Sequence, residues 1–581
     1  MISEPWQTVG ILALGVTVVV GGVLWLRLHA FLALTLAALA VAALTPHSTR
    51  LRYEVKSRAL AVVGSPAGRT RQPIGTTRLE GVRIRLRSGD ELTQGTPLVL
   101  LAPDDGGGLE PIARYTVTEL TDTDGRPAAE GAARFAVAAP LQHAPDAVRR
   151  PPERQDVYLL TQAAYRAARM AASRSIGSRV AEGFGSTCGK IGILIAMAAI
   201  IGKCLLDSGA ADRIVRSALK LTGERGAPLA FLGSGFLLGI PVFFDTVFYL
   251  MIPLGKALYV RLRRNYLLYV LSIVCGATMA HSLVPPTPGP LFVAEQLGVD
   301  IGTMIIAGSL VGLVCSLYGY GHAQMVNRWW ELPLRESPEF TAEDLRRLTE
   351  RDESSLPSLG WSLMPIVLPV VLIGGGTVVR TFSTGLPEWL VWVCTNLGDK
   401  NIALAIAAAI ALAVLLRQTS GHFGELAGRV QAALASGGVI ILITAAGGAF
   451  GTVLKQTDVA GLFERLPNTS PAALIVSAFL ITTAVRTAQG SATVAMITAV
   501  GVLSGIAAAG LPFHPVYLAL AIGCGSKPVA WMNDSGFWVI ARMSGMTEAE
   551  ALRFVTPMTA LMGVVGLLTV LAAALVAPMT P

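Results

Sequence analysis

Between residues 186 and 578 one pattern recurs. Long apolar runs, at about 186–206, 228–258, 266–284, 300–320, 361–379, 390–416, 434–454, 472–508, 514–531 and 556–578, are parted by short polar breaks. A bilayer core needs about 20 consecutive apolar residues per helix, because backbone groups in lipid must pair within their own segment. The recurrence therefore predicts an all-α polytopic membrane protein with about ten to fourteen membrane segments. Only 14% of the 581 residues are charged and mean hydropathy is +0.58. About 25% charge is usual for a soluble domain, so a soluble enzyme, a disordered chain and a fibre are excluded. The six Cys (Cys188, Cys204, Cys275, Cys315, Cys394, Cys524) are scattered, with no metal-ligand spacing, and read as small apolar packing residues. The net charge of +8 reports topology and not nucleic-acid binding. Met1–Val9 carries no basic residue, so the first apolar run reads as a retained span and not a cleaved signal.

Residues 1–45 form the expected N-terminal hairpin, with runs Ile11–Trp25 and Ala30–Leu44 split by Arg27 and His29. From 46 to 156 the chain turns rich in Arg, Asp, Pro and Gly. Ala59–Gly64, Gly81–Arg87, Leu98–Leu101 and Tyr115–Leu120 alternate or are β-branched, and turn signals at Ser88-Gly89-Asp90 and Asp124-Gly125 separate them. This predicts a small soluble β-rich insertion after the second span, an accessory module without a metal, nucleophile or phosphate motif. Val157–Val180, Ala-rich with Arg166, Arg169, Arg174 and Arg179, reads as an amphipathic helix leading back to the bilayer. Two membrane transport repeats follow, 157–326 and 361–581, joined by a polar loop at 327–360. Arg50, Arg52, Lys56 and Arg58 on one flank and the Arg residues of 166–179 on the other put the insertion in the cytoplasm.

The repeat is faint but threefold. Ile201–Asp207 echoes Phe450–Lys455, Gly239-Ile240-Pro241 corresponds to Gln489-Gly490-Ser491, and His281–Pro290 to Gly523–Asp534, each offset by roughly 245 residues. Paired interrupted helices in two halves point to the central site of a secondary transporter.

Charges inside apolar runs are costly, about 2.5–3.5 kcal/mol each on insertion scales, so they need a partner or a wet cavity. Asp245 stands in an uncharged run just after Gly239-Ile240-Pro241 and can accept a coupling proton; an ion-paired or interfacial carboxylate is the bland alternative. In His281-Ser282-Leu283-Val284-Pro285-Pro286-Thr287-Pro288-Gly289-Pro290, four Pro in six residues forbid a regular helix. Such backbone survives at membrane depth where it lines a cavity. Ser282, Pro286 and Gly289 are thus candidate substrate residues, and His281 a candidate for both substrate and proton. Arg486 precedes Gly490, Ser491 and Thr493. Its fork suits a carboxylate, the hydroxyls suit a polyol, and Gly490 admits close approach; snorkelling of Arg486 is the alternative. Ser526, Lys527 and Asn533 add an amide and a cation, with Asp534 as a further proton site. Lys190 and Lys203 read as snorkelling cations.

Together these residues describe an anion pocket that cotransports a small hydroxylated carboxylate with a proton. A protonated Asp favours the anion, and the anion raises proton affinity by the same factor. The chain carries no HExxH or GxSxG setting, so no enzyme, metal or cofactor is expected.

Several stretches resemble the gluconate permease family, the gluconate:H⁺ symporters of bacterial cytoplasmic membranes. They are Gly183–Thr187, Gly202-Lys203 through Asp207-Ser208-Gly209, Gly239–Phe248, His281–Pro290 with Val299–Gly302, Gly447–Phe450, Gly490–Ala495 and Asn533–Trp538. The likeness spans about 1–45 and 157–581. It implies substrate and proton handling near Asp245, roles for His281 and its Pro-rich break, for Ser491 and Thr493, and for Asn533 and Asp534. It also implies an inverted-repeat fold of the ion transporter superfamily, with broken or re-entrant helices. Counting every apolar run as one crossing makes the halves parallel. Reading 228–258 as a re-entrant hairpin, as the resemblance implies, inverts them. The family often carries His where Thr287 stands and near Trp531, and it lacks the 46–156 insertion. Gluconate or a related sugar acid is the expected cargo; a lactate-like carboxylate, Na⁺ coupling, or a membrane sensor signalling through the insertion are the alternatives. A homo-oligomer in the lipid bilayer is compatible with the sequence.

Overall fold

The computed structural model describes residues 4–63, 75–77, 81–85, 92–104, 108–122, 135–140, 157–335, 353–381, 386–419, 423–457, 470–508 and 511–579. The chain divides into two compact units. The first comprises Met1–Gly15, Ala38–Ala181 and Thr452–Pro467; the second comprises Val16–Ala37, Glu182–Gly451 and Asn468–Pro581. Helices α1 (Glu4–Leu24) and α2 (Ala30–Leu44) open the chain, as the two short apolar runs require.

The first unit is built on a seven-stranded antiparallel sheet in the order β1-β7-β4-β5-β6-β3-β2. The strands are β1 (Ala61–Val63), β2 (Gly75–Thr77), β3 (Gly81–Arg85), β4 (Pro97–Pro103), β5 (Leu109–Thr121), β6 (Phe135–Pro140) and β7 (Val157–Thr161). Alternation along a strand sends successive side chains to opposite faces. Leu98, Leu100, Val157 and Leu159 thus enter one apolar cluster with Tyr115 and Val117. Val99, Leu101, Tyr158 and Leu160 enter the other, closed by Leu51 and Val55 of α3 (His47–Arg58) and Ala168 and Ala172 of α4 (Gln162–Ala172). The sheet corrects one expectation. Residues 157–161 are a strand beside β4, not the start of an amphipathic helix. Four apolar residues in a row, buried on both faces, carry no helical or strand period to read. Thr161 ends the strand and caps α4 by accepting from Ala164 N at 3.0 Å.

The remaining helices belong to the second unit, apart from Ile176–Ala181 of α5 and Thr452–Lys455 of α14, which fall in the first: α5 (Ile176–Asp207), α6 (Ala210–Gly239), α7 (Phe244–Leu262), α8 (Tyr266–Leu283), α9 (Pro288–Leu297), α10 (Ile301–Trp329), α11 (Leu359–Thr381), α12 (Glu388–Leu397), α13 (Lys400–Gln418), α14 (Phe423–Lys455), α15 (Pro471–Gln489), α16 (Ala492–Ala508), α17 (Pro515–Gly525), α18 (Ser535–Ser544) and α19 (Glu548–Val576). Eight spans among the described residues are long and apolar enough to cross a bilayer, with α8 and α9 together forming one of them. Three of the apolar runs are each two helices, two of them parted at the interruptions read from the sequence, Gly239-Ile240-Pro241 and Gln489-Gly490-Ser491. Residues 228–258 break around Pro241, 390–416 at Gly398-Asp399, and 472–508 at Gly490-Ser491. Each break has a local cause. Proline lacks the donor a helix needs. Asp399 caps α13 by accepting from Asn401 N and Ile402 N. Gly490 adopts φ 82°, a region side chains disfavour.

Helices α5–α10 and α14–α19 follow one another in the same order, and α10 and α19 are both 29 residues long. The corners agree in detail. Gly298 and Gly545 both end short helices in the left-handed conformation, and Asp300 and Thr547 both cap the long helices that follow. In lipid, helices associate through close backbone approach at small residues. Here a Cβ on Gly276 of α8 would run into the Leu232 carbonyl of α6, and one on Gly239 would lie 2.9 Å from Ala277 O. Lys190 and Lys203, read as snorkelling, are paired instead. Lys190 and Lys400 hold Glu295 of α9 at 3.3 and 3.0 Å, and Lys203 and Arg429 hold Asp207 at 2.9 and 3.2 Å.

Candidate functional site

Four helix N-termini gather where the breaks meet. Residues 526–534 leave α17 and cross over the α15–α16 break, so that Asn533 main chain lies against Gly490. Within the crossing, Val529 is held at φ 58°, a conformation a β-branched residue adopts only under constraint from its surroundings. Asn533 Nδ2 donates to Thr487 O at 2.8 Å and Ala488 O at 3.2 Å, the orphan carbonyls of the last turn of α15. Trp531 Nε1 donates to Thr487 O as well, at 3.1 Å. One turn on, Phe244 at the start of α7 packs on Gly536 at the start of α18, where a Cβ would lie 3.4 Å from the ring. At the other side, Gly289 in the first turn of α9 packs against Met496 and Thr493 of α16. The starts of α7, α18, α16 and α9 thus form one continuous group. Each carries about half a positive charge, which favours an anion, although Pro288 and Pro290 of α9 have no N–H to donate.

Arg486, 4% exposed, reaches this group at the start of α18. Its Nε donates to Ser526 O at 3.1 Å, one Nη pairs with the Asp534 carboxylate, and Nη1 has no partner. Asp534 also caps α18, accepting from Gly536 N at 3.0 Å. Asp245, in the first turn of α7, lies within electrostatic reach of Asp534. His281 stands edge-on to Phe243, ring centroids 6.1 Å apart, with Nδ1 buried and unpaired.

The remaining residues expected from the sequence fall into two sets. Ser491 caps α16 by accepting from Val494 N at 3.3 Å, and Thr493 follows it in the first turn beside Gly289. Gly490 and Asn533 are the contact that holds the crossing in place. Other residues are engaged elsewhere. Lys527 is 4% exposed, and its ammonium donates to Thr278 O at 2.8 Å and Thr278 Oγ1 at 3.0 Å, tying the crossing to α8. Ser526 Oγ donates to Gly523 O at 2.7 Å, so only its carbonyl reaches Arg486. Ser282 is fully buried with its hydroxyl unpaired. Pro286 lines a separate, apolar recess with Ile201, Pro241, Pro285 and Pro369, bordered by Lys400. Sequence reasoning passed over Gln489, buried with both carboxamide atoms unpaired beside Gly490. Its signal was the adjacent glycine, which ends the helix and leaves the preceding side chain facing the break.

Gly490→Ala tests the crossing. Its Cβ would collide with the Asn533 carbonyl, and φ 82° is strained for any L side chain. The expected result is a clear fall in melting temperature together with loss of transport in the folded fraction; a variant that melts and transports as the wild type would dissolve the contact's importance.

The family model of the GntP family permeases matches residues 160–576. Over 415 residues the chain is 34% identical to an uncharacterized permease of Haemophilus influenzae, which covers 69% of this chain and 84% of that protein. The gluconate permease of Pseudomonas aeruginosa is 30% identical over 400 residues, covering 68% and 87%. The D-serine transporter DsdX of Escherichia coli is 32% identical over 394 residues, covering 67% and 86%. The solved YdaH transporter of Alcanivorax borkumensis aligns over 70% of this chain and 89% of its own at a TM-score of 0.47 and 14% identity.

Proposed function

Since the chain belongs to the GntP family of permeases, membrane transporters and not enzymes, we propose that it is a secondary active transporter carrying gluconate or a related sugar acid with a proton across the bacterial cytoplasmic membrane. The observation that carries this reading is the Arg486–Asp534 pair at the start of α18, with the Asp534 charge acting on Asp245 of α7. An arriving carboxylate competes with Asp534 for the guanidinium. A proton taken up by Asp245 removes a negative charge that repels the arriving carboxylate, so proton and anion bind cooperatively. Loss of the proton restores that repulsion and drives the anion off. His281 lies on the proton's side of this arrangement, against Phe243.

The two sets of six helices read as inverted repeats. Between the starts of α5 and α14 run five candidate spans, α5, α8–α9, α10, α11 and α13. An odd number turns the second half over, with α6 and α7 as a re-entrant pair in the first. From the basic flanks we infer a cytoplasmic position for the insertion, residues 46–156.

The test is concentrative uptake of labelled gluconate into proteoliposomes holding the full chain, driven by an imposed pH gradient. Accumulation above equilibrium, abolished by a protonophore, is expected. Accumulation that follows a Na⁺ gradient alone would replace the coupling ion, and binding without uptake would favour a sensor.

A further inference from the structure

Gln489 is the only described side chain with two buried atoms lacking partners, the donor Nε2 and the acceptor Oε1, and it is 8% exposed. It is not in an indifferent place. Ile475, Ala478, Phe479, Thr482, Val485, Arg486 and Gln489 make the buried stripe of α15, so Gln489 stands one turn beyond Arg486 on the same face. Residues three apart on a helix are neighbours, about 5–6 Å between their Cβ atoms. Arg486 Nη1 is also buried and unpaired. Three unpaired polar atoms thus share one helical turn under the Asn533 crossing. Buried polar groups are normally paired, because leaving one unmade costs free energy without return. A group kept in this state is set for a partner that comes and goes.

We propose that Arg486 and Gln489 form a two-point recognition face, in which Arg486 takes the substrate's carboxylate and Gln489 takes two neighbouring hydroxyls. This rests on the transport reading above and narrows its cargo to polyhydroxy acids. The chemistry of the carboxamide decides the point. One hydroxyl accepts from Nε2 while the next donates to Oε1, so a diol satisfies both atoms. An ammonium has three donors and no acceptor and leaves Nε2 unpaired. A second carboxylate accepts only and leaves Oε1 unpaired. A single hydroxyl, as in lactate, completes the set less well than two. A site built to hydrogen-bond a hydroxyl discriminates strongly against analogues that lack it.

The experiment is counterflow of labelled gluconate in proteoliposomes, competed by unlabelled gluconate, lactate and D-serine, for the wild type, Gln489→Leu and Gln489→Met. The wild type is expected to prefer gluconate over lactate by about tenfold or more. Both variants are expected to lose about tenfold in gluconate affinity, while lactate affinity changes less than about threefold, so the preference collapses. A merely structural glutamine would weaken both acids alike and leave their ratio unchanged, which would overturn the proposal. Gln489→Glu keeps length but removes the donor and adds a negative charge that repels both acids alike, so its readout is the ratio of gluconate to lactate affinity. It carries the test should the apolar variants fail to insert, with the gluconate preference expected to fall. A wild type that prefers D-serine overturns the hydroxyl assignment while leaving transport intact. A wild type that moves none of the three removes the transport reading itself, before any variant is made.

Discussion

Arg486→Gln is expected to cut gluconate uptake by about 100-fold or more, since charged hydrogen bonds contribute about 1.5–3 kcal/mol each and the carboxylate loses its one cationic partner. The same change leaves Asp534 without its countercharge. Removing one member of a buried pair costs about 3–5 kcal/mol, and the side chains here are 5% and 15% exposed, so a lower melting temperature accompanies the lost uptake. The two effects separate in the double variant Arg486→Gln/Asp534→Asn. Neutralising both members relieves the uncompensated charge, so stability recovers while uptake does not. If Arg486→Gln carried gluconate at the wild-type rate, the guanidinium would be structural and the anion site would lie elsewhere.

Asp245→Asn is the second large effect, and it divides two activities. The carboxylate lies in the first turn of α7, where no cation pairs with it among the described residues, and Asp534 is the charge that acts on it. Removing it takes away a proton acceptor while leaving Arg486, Gln489 and the helix N-termini in place. Accumulation driven by a pH gradient is therefore expected to vanish, whereas exchange of labelled for unlabelled gluconate at equal pH continues within about threefold of the wild type. Loss of both activities would make Asp245 part of the anion site. Retention of both would move the coupling proton to Asp534 or His281. The linkage gives the sign: if a bound proton raises anion affinity, lowering pH on the loading side strengthens uptake in the wild type and has little effect on exchange in the variant.

Much of this arrangement could be read from residue order. The Pro-rich stretch marks a break, but a narrower one than the expected His281–Pro290: His281–Leu283 still belong to α8 and Pro288–Pro290 already open α9, because a helix tolerates proline in its first turn. Gly490 and Pro241 mark the other breaks, and a charge such as Asp245 or Arg486 in an apolar run must be given company by the fold. These are local consequences of backbone sterics and solvation. Each of the four alternating stretches of the insertion holds a strand among its described residues for the same reason, whereas Val157–Thr161, apolar at every position but its last, gave no period to distinguish strand from helix.

What each polar group does was another matter. Lys527 and Arg486 look alike in sequence, as cations beside glycines, yet one ammonium is bound to Thr278 while one guanidinium atom stays open. Ser526 and Ser491 are both hydroxyls near a break; the first turns back on Gly523 and the second caps α16. Gln489 carried no mark of its own, because an amide becomes informative only when its surroundings leave it unpaired. The amino-acid order alone determined that the chain spans a membrane, where its helices are interrupted, and which costly side chains it must shelter. Tertiary structure alone decided which of those side chains face one another, because hydrogen-bond partners nearly 50 to 250 residues apart, such as Arg486 with Asp534 or Lys527 with Thr278, are set by how helices cross and not by any pattern along the chain.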